Sequence, residues 1–209
     1  MSVTANCPNC GAPIQFLWSS AVQTVCPFCK SILVRRDVNL ERVGAVADLP
    51  QDGSPIQIAT EGVYRNHSFV VVGRILYEYG EGGWNEWHIV LNDGSSGWLS
   101  DAQAEYAVSF LTPMAGLPPA DRVAPGQQYR WNGVVYEVIC VTRARYRGVE
   151  GELPFEYWDK SDVIFADLES RDARFATLDY SDPQPLLFTG ETVDCDALRL
   201  KNLRQFEGW

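Results

Sequence analysis

The apolar residues of this chain come in short continuous or alternating blocks, and no window keeps an apolar stripe at helical spacing. Phe69 to Tyr77 is a run of strand formers and Trp84 to Leu91 is a second. Gly97-Trp98-Leu99-Ser100 resumes a strand after the turn Asn92-Asp93-Gly94-Ser95. Further on, Gln128-Tyr129-Arg130-Trp131 meets Asn132-Gly133, and Val134 to Val141 returns. Asn-Gly between two apolar runs is a strong hairpin signal, because both positions tolerate the left-handed backbone a tight turn needs. Later strands are predicted at Phe155–Trp158, Val163–Leu168 and Arg174–Leu178, and Asp101–Val108 reads as a short helix. Near the N-terminus, Ile14–Trp18, Val22–Val25 and Ser31–Val34 read as three short strands.

Breaker residues divide the chain. Residues 1–36 form one unit. A linker over 37–55 carries Gly44, Pro50, Asp52-Gly53 and Pro55, and a Pro-rich linker over 112–126 carries Pro113, Pro118, Pro119 and Pro125. Between and after them lie a first β-domain at 56–111 and a second at 127–209 with a C-terminal extension. The two resemble each other at a period of about 67 residues. Tyr64-Arg65 precedes a turn and then Phe69 to Gly73; Tyr129-Arg130 precedes a turn two residues longer and then Tyr136 to Cys140. Trp84, Glu86 and Trp87 are echoed by Phe155, Glu156 and Tyr157. The expected fold is mostly β: a small N-terminal unit, then two related, partly open, SH3-like β-barrels.

The N-terminal unit carries the clearest chemistry. Cys7, Cys10, Cys26 and Cys29 are spaced C-x2-C-x15-C-x2-C, the pattern of a four-cysteine zinc ribbon. Each C-x-x-C turn points two thiolates at one ion, and two turns complete a tetrahedron. About 30 residues hold too little core to fold unaided. Structural zinc can supply the difference, with apparent energies of roughly 10–16 kcal/mol in small peptides. One structural Zn²⁺ is therefore expected, with iron in the same cage left open. Four thiolates close the coordination shell, which argues against a catalytic metal. Cys140 and Cys195 stand alone and read as buried small hydrophobes.

Composition narrows the class. An apolar fraction of 46% and an aromatic fraction of 12% are those of a globular protein. No run approaches the roughly 18 apolar residues of a membrane span, and the N-terminus lacks a secretory signal, so a cytoplasmic protein is expected. Residues 1–42 carry Lys30, Arg35, Arg36 and Arg42 against Asp37 and Glu41, a balance of +2, which leaves −12 of the net −10 on the remainder. Such a field opposes nucleic-acid binding by the larger part and leaves only the ribbon as a candidate for it.

Candidate catalytic residues are few. His67 falls in a turn and His88 in a strand; an enzymatic role would need one of them near a carboxylate and facing a lined pocket. Gly80 to Gly83 lacks the strand–loop–helix setting of a phosphate cradle. Glu78, Glu81, Glu86, Glu150, Glu152, Glu156, Asp159 and Asp162 read as a solvated acidic face. Trp84, Trp87 and Trp98 fit either a barrel core or an aromatic-lined binding groove. Arg143, Arg145 and Arg147 alternate along one strand face, where they would hold an anionic ligand or acidic partner, or pair with the protein's own acids.

Together the cysteine-led ribbon, the aromatic-x-V-x-G run (Phe69, Val71, Gly73), the W-x-E-W run (Trp84, Glu86, Trp87), Gly97-Trp98-Leu99, Gly190-Glu191 and the closing Asn202 to Trp209 resemble the bacterial family known as domain of unknown function 4178, in a tandem form led by a zinc ribbon. The second copy departs from the pattern, with Cys140 where Gly73 stands and no Gly-Trp-Leu. The family has no assigned activity. Its members keep company with spermidine-synthase-like enzymes, small membrane proteins and membrane-stress proteins. The resemblance therefore implies a non-enzymatic adaptor that engages protein partners, associated with membranes only peripherally through a partner. The competing readings are a small-molecule sensor or enzyme with a site between the two β-domains, and a ribbon that binds nucleic acid.

Overall fold

The computed structural model describes residues 4–36, 39–46, 49, 52–157 and 162–206. The described residues hold strands and two 3₁₀ turns and no α-helix. In the N-terminal unit, β1 (Thr4–Asn6) pairs with β2 (Pro13–Gln15). β3 (Gln23–Val25), β4 (Ser31–Arg36) and β5 (Asn39–Ala45) form an antiparallel ladder. The last of these lies within the span read as a linker. β2 stops at Gln15 because the next turn leaves the ladder: the backbone N–H groups of Leu17 and Trp18 point instead at a carboxylate of the larger part.

The larger part is two five-stranded meanders. The first runs β6 (Glu61–Tyr64), β7 (His67–Tyr79), β8 (Gly82–Leu91), β9 (Ser96–Ala102) and β10 (Glu105–Leu111). The second runs β11 (Gln128–Trp131), β12 (Val134–Leu153), β13 (Asp162–Glu169), β14 (Arg174–Asp179) and β15 (Leu186–Val193). Each opens with a two-residue turn in left-handed conformation, Arg65-Asn66 at φ 47° and 67° and Asn132-Gly133 at 48° and 80°, the twist that suits a tight hairpin. The two turns are of equal length, so Tyr64 matches Trp131, not Tyr129, and the longer second turn read from sequence is corrected. The stretch read as a helix, Asp101–Val108, is the β9–β10 hairpin, with Gln103 and Ala104 at its turn. Phe155–Tyr157 is not a strand but an irregular segment; Trp158 lies outside the described residues.

Each long strand is bulged at a matching place, and β12 carries a second irregularity between Tyr146 and Gly148. In β7 a bulge lies between Val71 and Gly73, and in β12 between Val138 and Cys140. Such an extra residue reverses which face later side chains occupy. Phe69 and Val71 bury in a core with Trp87, Ile89 and Leu99. Tyr136 and Val138 bury in a separate core with Leu168, Leu178 and Leu187. Past the bulges, Ile75 and Tyr77 from β7 and Ala144 from β12 enter a third core together with Trp98, Val163 and Phe165. Gly73 marks a close approach: a Cβ there would stand 2.0 Å from the Glu152 carbonyl oxygen.

A meander of this kind ends in unpaired edge strands, which sheets do not leave open when a partner edge is at hand. Here β7 pairs with β12 and β10 with β15. The two meanders are thus not separate barrels. Like edges meet, and eight strands in the order β7-β8-β9-β10-β15-β14-β13-β12 close into a ring around the third core. β12 also continues into β3 through Glu152 and Leu153, which joins the N-terminal unit to the same sheet. Among the described residues no helix is long and apolar enough to cross a membrane.

Candidate metal centre and interior cavity

The two cysteine knuckles have the same local fold. Gly11 N–H donates to the Cys7 carbonyl and Lys30 N–H to the Cys26 carbonyl, at 2.9 and 3.0 Å, with Gly11 and Lys30 at φ 74° and 57°. These turns bring all four sulfurs within 4.8 Å of one another, with Cys7–Cys29 at 3.7 Å and Cys10–Cys26 at 3.8 Å. A tetrahedron with metal–sulfur bonds of about 2.3 Å has edges of about 3.8 Å, so the cluster has the size of a four-thiolate cage. The four cysteines could hold one metal ion. Ile14, Phe16, Ala21 and Leu33 pack against Cys7 and Cys26 in a core of their own.

This unit is anchored firmly to the ring. The buried Glu152 carboxylate accepts the N–H groups of Leu17 and Trp18 at 2.6 and 2.8 Å. The fully buried Gln23 side chain bonds both the carbonyl and the N–H of Tyr157, at 3.0 and 2.8 Å. Glu152 was expected on a solvated acidic face. It is instead a joint between two units, held where charged groups sit only when hydrogen-bonded.

Inside the ring the two meanders face each other across a cavity. Strand alternation aims Trp84 and Glu86 inward while Trp87, Ile89 and Leu91 face the outer core. The wide part of the cavity, about 500 Å³, is lined from both meanders, by Trp84, Glu86 and Ala107 on one side and Cys140, Asp167 and Thr192 on the other. Glu86, Ser100, Phe165 and Thr177 are shared with a narrow inner part of about 50 Å³, which Phe155, Tyr157 and Asp179 complete. Tyr77 stacks on Trp84 with ring centres 5.0 Å apart and meets Phe165 edge-on at 5.0 Å. Its hydroxyl donates to that of Tyr157 at 2.6 Å.

Two of the cavity's carboxylates, Glu86 and Asp167, accept hydrogen bonds from neutral donors. Glu86 accepts the Trp84 indole N–H at 2.9 Å and the Ser100 hydroxyl at 2.8 Å. Asp167 accepts the Thr177 hydroxyl at 2.7 Å, and the Cys140 thiol lies 3.5 Å away. The Glu86 side chain is half-buried in the cavity wall. Burial pushes its carboxyl up to about 7, with the charges of Asp167 and Asp179 adding to the shift, from an ordinary 4.5. Burial likewise raises Asp167. A raised carboxyl means that the folded chain holds its proton more tightly than the unfolded chain. The contribution of Glu86 to stability is therefore full below about pH 4.5 and is lost as pH rises through about 7. Glu86→Gln is expected to be more stable than wild type at pH 8, by roughly 3 kcal/mol at most, and to differ little at pH 4.5. Urea unfolding at the two pH values checks this; equal stability differences at both would contradict it.

The other residues singled out from sequence fall in different places. Trp98 forms part of the cavity wall, whereas Trp87 is fully buried on the opposite face of its sheet under the Arg74 guanidinium. Arg143, Arg145 and Arg147 lie exposed on the outside of β12. Arg145 approaches Asp162 at 3.9 Å and Arg147 approaches Glu78 at 3.3 Å. Exposed His67 bonds Asn92 at 3.1 Å and stands 3.7 Å from Asp93. His88 is fully buried between Trp18 and Trp98; its Nδ1 meets the Glu152 carbonyl at 2.9 Å, and burial pushes its imidazole down to about 4. Neither histidine combines a hydrogen-bonded carboxylate with a lined pocket. Cys140 and Cys195 are half-buried, Cys140 against the cavity and Cys195 against the first core. Asp167 and Asp179 escaped the sequence reading. Both alternate with apolar residues in β13 and β14, and this inward-pointing acidic pattern was the available signal.

Neither the search of curated proteins nor that of solved structures found a match. A family model does match residues 57–195, one continuous stretch that takes in both meanders and stops short of the cysteine cluster. With more than half of its length so matched, the chain belongs to the family described as Domain of unknown function (DUF4178).

Proposed function

We propose that this protein is a binding protein, with a small-molecule site in the cavity enclosed by the ring of strands and a structural zinc in its N-terminal ribbon. The observation that carries the reading is the cavity itself, walled by inward-facing side chains of both meanders and large enough for a small ligand. On this reading the two meanders are copies of one ancestral unit, a relation supported by their matching turns, bulges and strand order. Duplication would then have created the site, since neither copy encloses it alone. The ribbon clamps the seam where β7 meets β12, through Glu152 and Gln23.

A thermal-shift screen of small metabolites tests the reading. Ligands that bind the folded form raise the melting temperature by mass action. Ala107→Leu, which adds bulk to the cavity wall and removes no hydrogen bond, should abolish the shift. Thr192→Leu, nearer the mouth, serves if the first variant folds poorly. Ligands whose shift survives in both folded variants would place binding elsewhere and overturn the proposal.

A second role, as an adaptor for a protein partner, is favoured by Phe28, which stands 68% exposed at the tip of the second knuckle. Large exposed aromatics of this kind anchor protein interfaces. Phe28→Ser should abolish partner capture and leave ligand-induced stabilisation unchanged; capture that survives the substitution would remove this role.

A further inference from the structure

We infer that the cavity's ligand is a small organic cation, a protonated or quaternary amine, held between the carboxylates of Glu86 and Asp167 and the aromatic wall formed by Trp84 and Phe165. This rests on the reading of the cavity as a ligand site and adds the chemical class of what it takes.

Charge is the first constraint on the ligand. Glu86 and Asp167 are half-buried and face a cavity open at its mouth, and among the described residues neither has a lysine, arginine or histidine in ion-pairing range. Their hydrogen bonds come from an indole, two hydroxyls and a thiol, which orient the oxygens but supply no positive charge. Carboxylates held in a poorly solvated cavity without a counter-charge are costly, and perturbed groups of this kind cluster at functional sites. The missing charge can arrive with a ligand.

The walls narrow the kind of cation. Trp84, stacked on Tyr77 and edge-on to Phe165 at 5.6 Å, stands beside the Glu86 carboxylate. Aromatic faces beside a carboxylate attract ammonium groups through the ring quadrupole and accommodate the attached carbon chain. A bare metal ion fits poorly. It needs three or more ligand atoms close together, and among the described residues only the four-cysteine cluster brings so many within reach of one another. The mouth of the cavity carries Glu105 and Glu169, both exposed. With the chain's net charge of −10 they would draw cations inward and discourage anions.

Calorimetric titration of the full chain with n-butylammonium, tetramethylammonium, n-butanol and butyrate tests the assignment. The expected result is saturable binding of at least one ammonium probe, with n-butanol about ten-fold weaker or worse and butyrate silent. Glu86→Gln, shown to be folded by circular dichroism, should weaken the ammonium probe about ten-fold while leaving n-butanol unchanged. Asp167→Asn is the second variant should the first fold poorly. Binding of n-butanol as tightly as the ammonium probes would overturn the cation assignment and leave the cavity as a site for neutral ligands. Ammonium binding that is unaffected by Ala107→Leu would reflect the acidic surface and overturn the assignment as well. If no probe binds, both the assignment and the cavity reading fall.

Discussion

Replacing Cys26 with Ser is expected to release the ribbon from its fold. Cys26 is fully buried, its sulfur stands 3.8 Å from that of Cys10, and four of the side chains packed with it have no other core to join. Structural zinc contributes roughly 10–16 kcal/mol of apparent folding energy in small peptides. A unit this small cannot replace that with apolar burial. Amides of residues 4–36 should lose their protection from hydrogen exchange, and the purified variant should carry no metal. The ring should remain folded, because its eight strands close on one another without the ribbon, but it should melt earlier, since Gln23 and the Leu17–Trp18 turn no longer satisfy Tyr157 and Glu152. Wild-type protein, freshly purified under reducing conditions, should contain one zinc per chain by elemental analysis. Absence of both zinc and iron at that stoichiometry would refute the metal centre, and persistent amide protection in the variant would show that the ribbon folds without it.

Arg74→Ala is expected to cost about 3–5 kcal/mol of stability, the range for breaking a buried charge network by removing one member. The Arg74 side chain is 3% exposed. It donates to Asn85 at 2.7 Å and to Glu150 at 3.1 Å, pairs with Asp52, and lies over the Trp87 ring at 4.9 Å. Asp52 in turn holds Arg204 at 3.1 Å, so the network ties β7 and β12 to the segments that precede and follow the ring in the chain. Losing it leaves the buried Asn85 side-chain carbonyl without its donor, Asp52 with Arg204 alone, and the Trp87 ring uncovered, while the more exposed Glu150 turns to solvent. Lysine should not rescue the loss, because an ammonium cannot match the planar fork that reaches three partners and stacks on the ring. A loss of this size is a large share of the 5–15 kcal/mol that about any domain possesses. Urea unfolding gives the number directly. A change below about 1 kcal/mol, or full rescue by Arg74→Lys, would show that the network is ornamental.

How far the sequence discloses this structure depends on the range of the interaction. The cysteine knuckles are local: spacing, proline and the positive-φ position after each pair are all written within a few residues. The hairpin at Asn132-Gly133 and the long strands β7 and β8 are legible for the same reason. Five strands are not legible in the sequence. β1 and β6 are short, β5 lies among breakers, and β10 and β15 depend on pairing with each other across some 80 residues. The Asp101–Val108 stretch has no pattern strong enough to separate a turn at Gln103 from a helix, and tertiary pairing decided it. Glu86 is the instructive case. In Trp84-Asn85-Glu86-Trp87 it looks like a surface acid between aromatics, and nothing local says that the ring closes over it. Reading it correctly required the two bulges, because they determine which face of β7 and β12 turns inward. Arg74 was overlooked within an apolar run, although a lone charge at the centre of such a run is itself a sign of a buried partner.

If the ring interior is the binding site, the indole N–H signals of the protein report on it. Trp84 donates its indole N–H to Glu86 inside the cavity and Trp98 forms part of the cavity wall, whereas Trp131 is buried in the separate core of the second meander. In a nitrogen-15 correlation spectrum titrated with n-butylammonium and, separately, with n-butanol, the signals of Trp84 and Trp98 should move with at least one probe while that of Trp131 stays in place. Movement of Trp131 alone, or no movement of any indole signal with either probe at saturating concentration, would contradict the account.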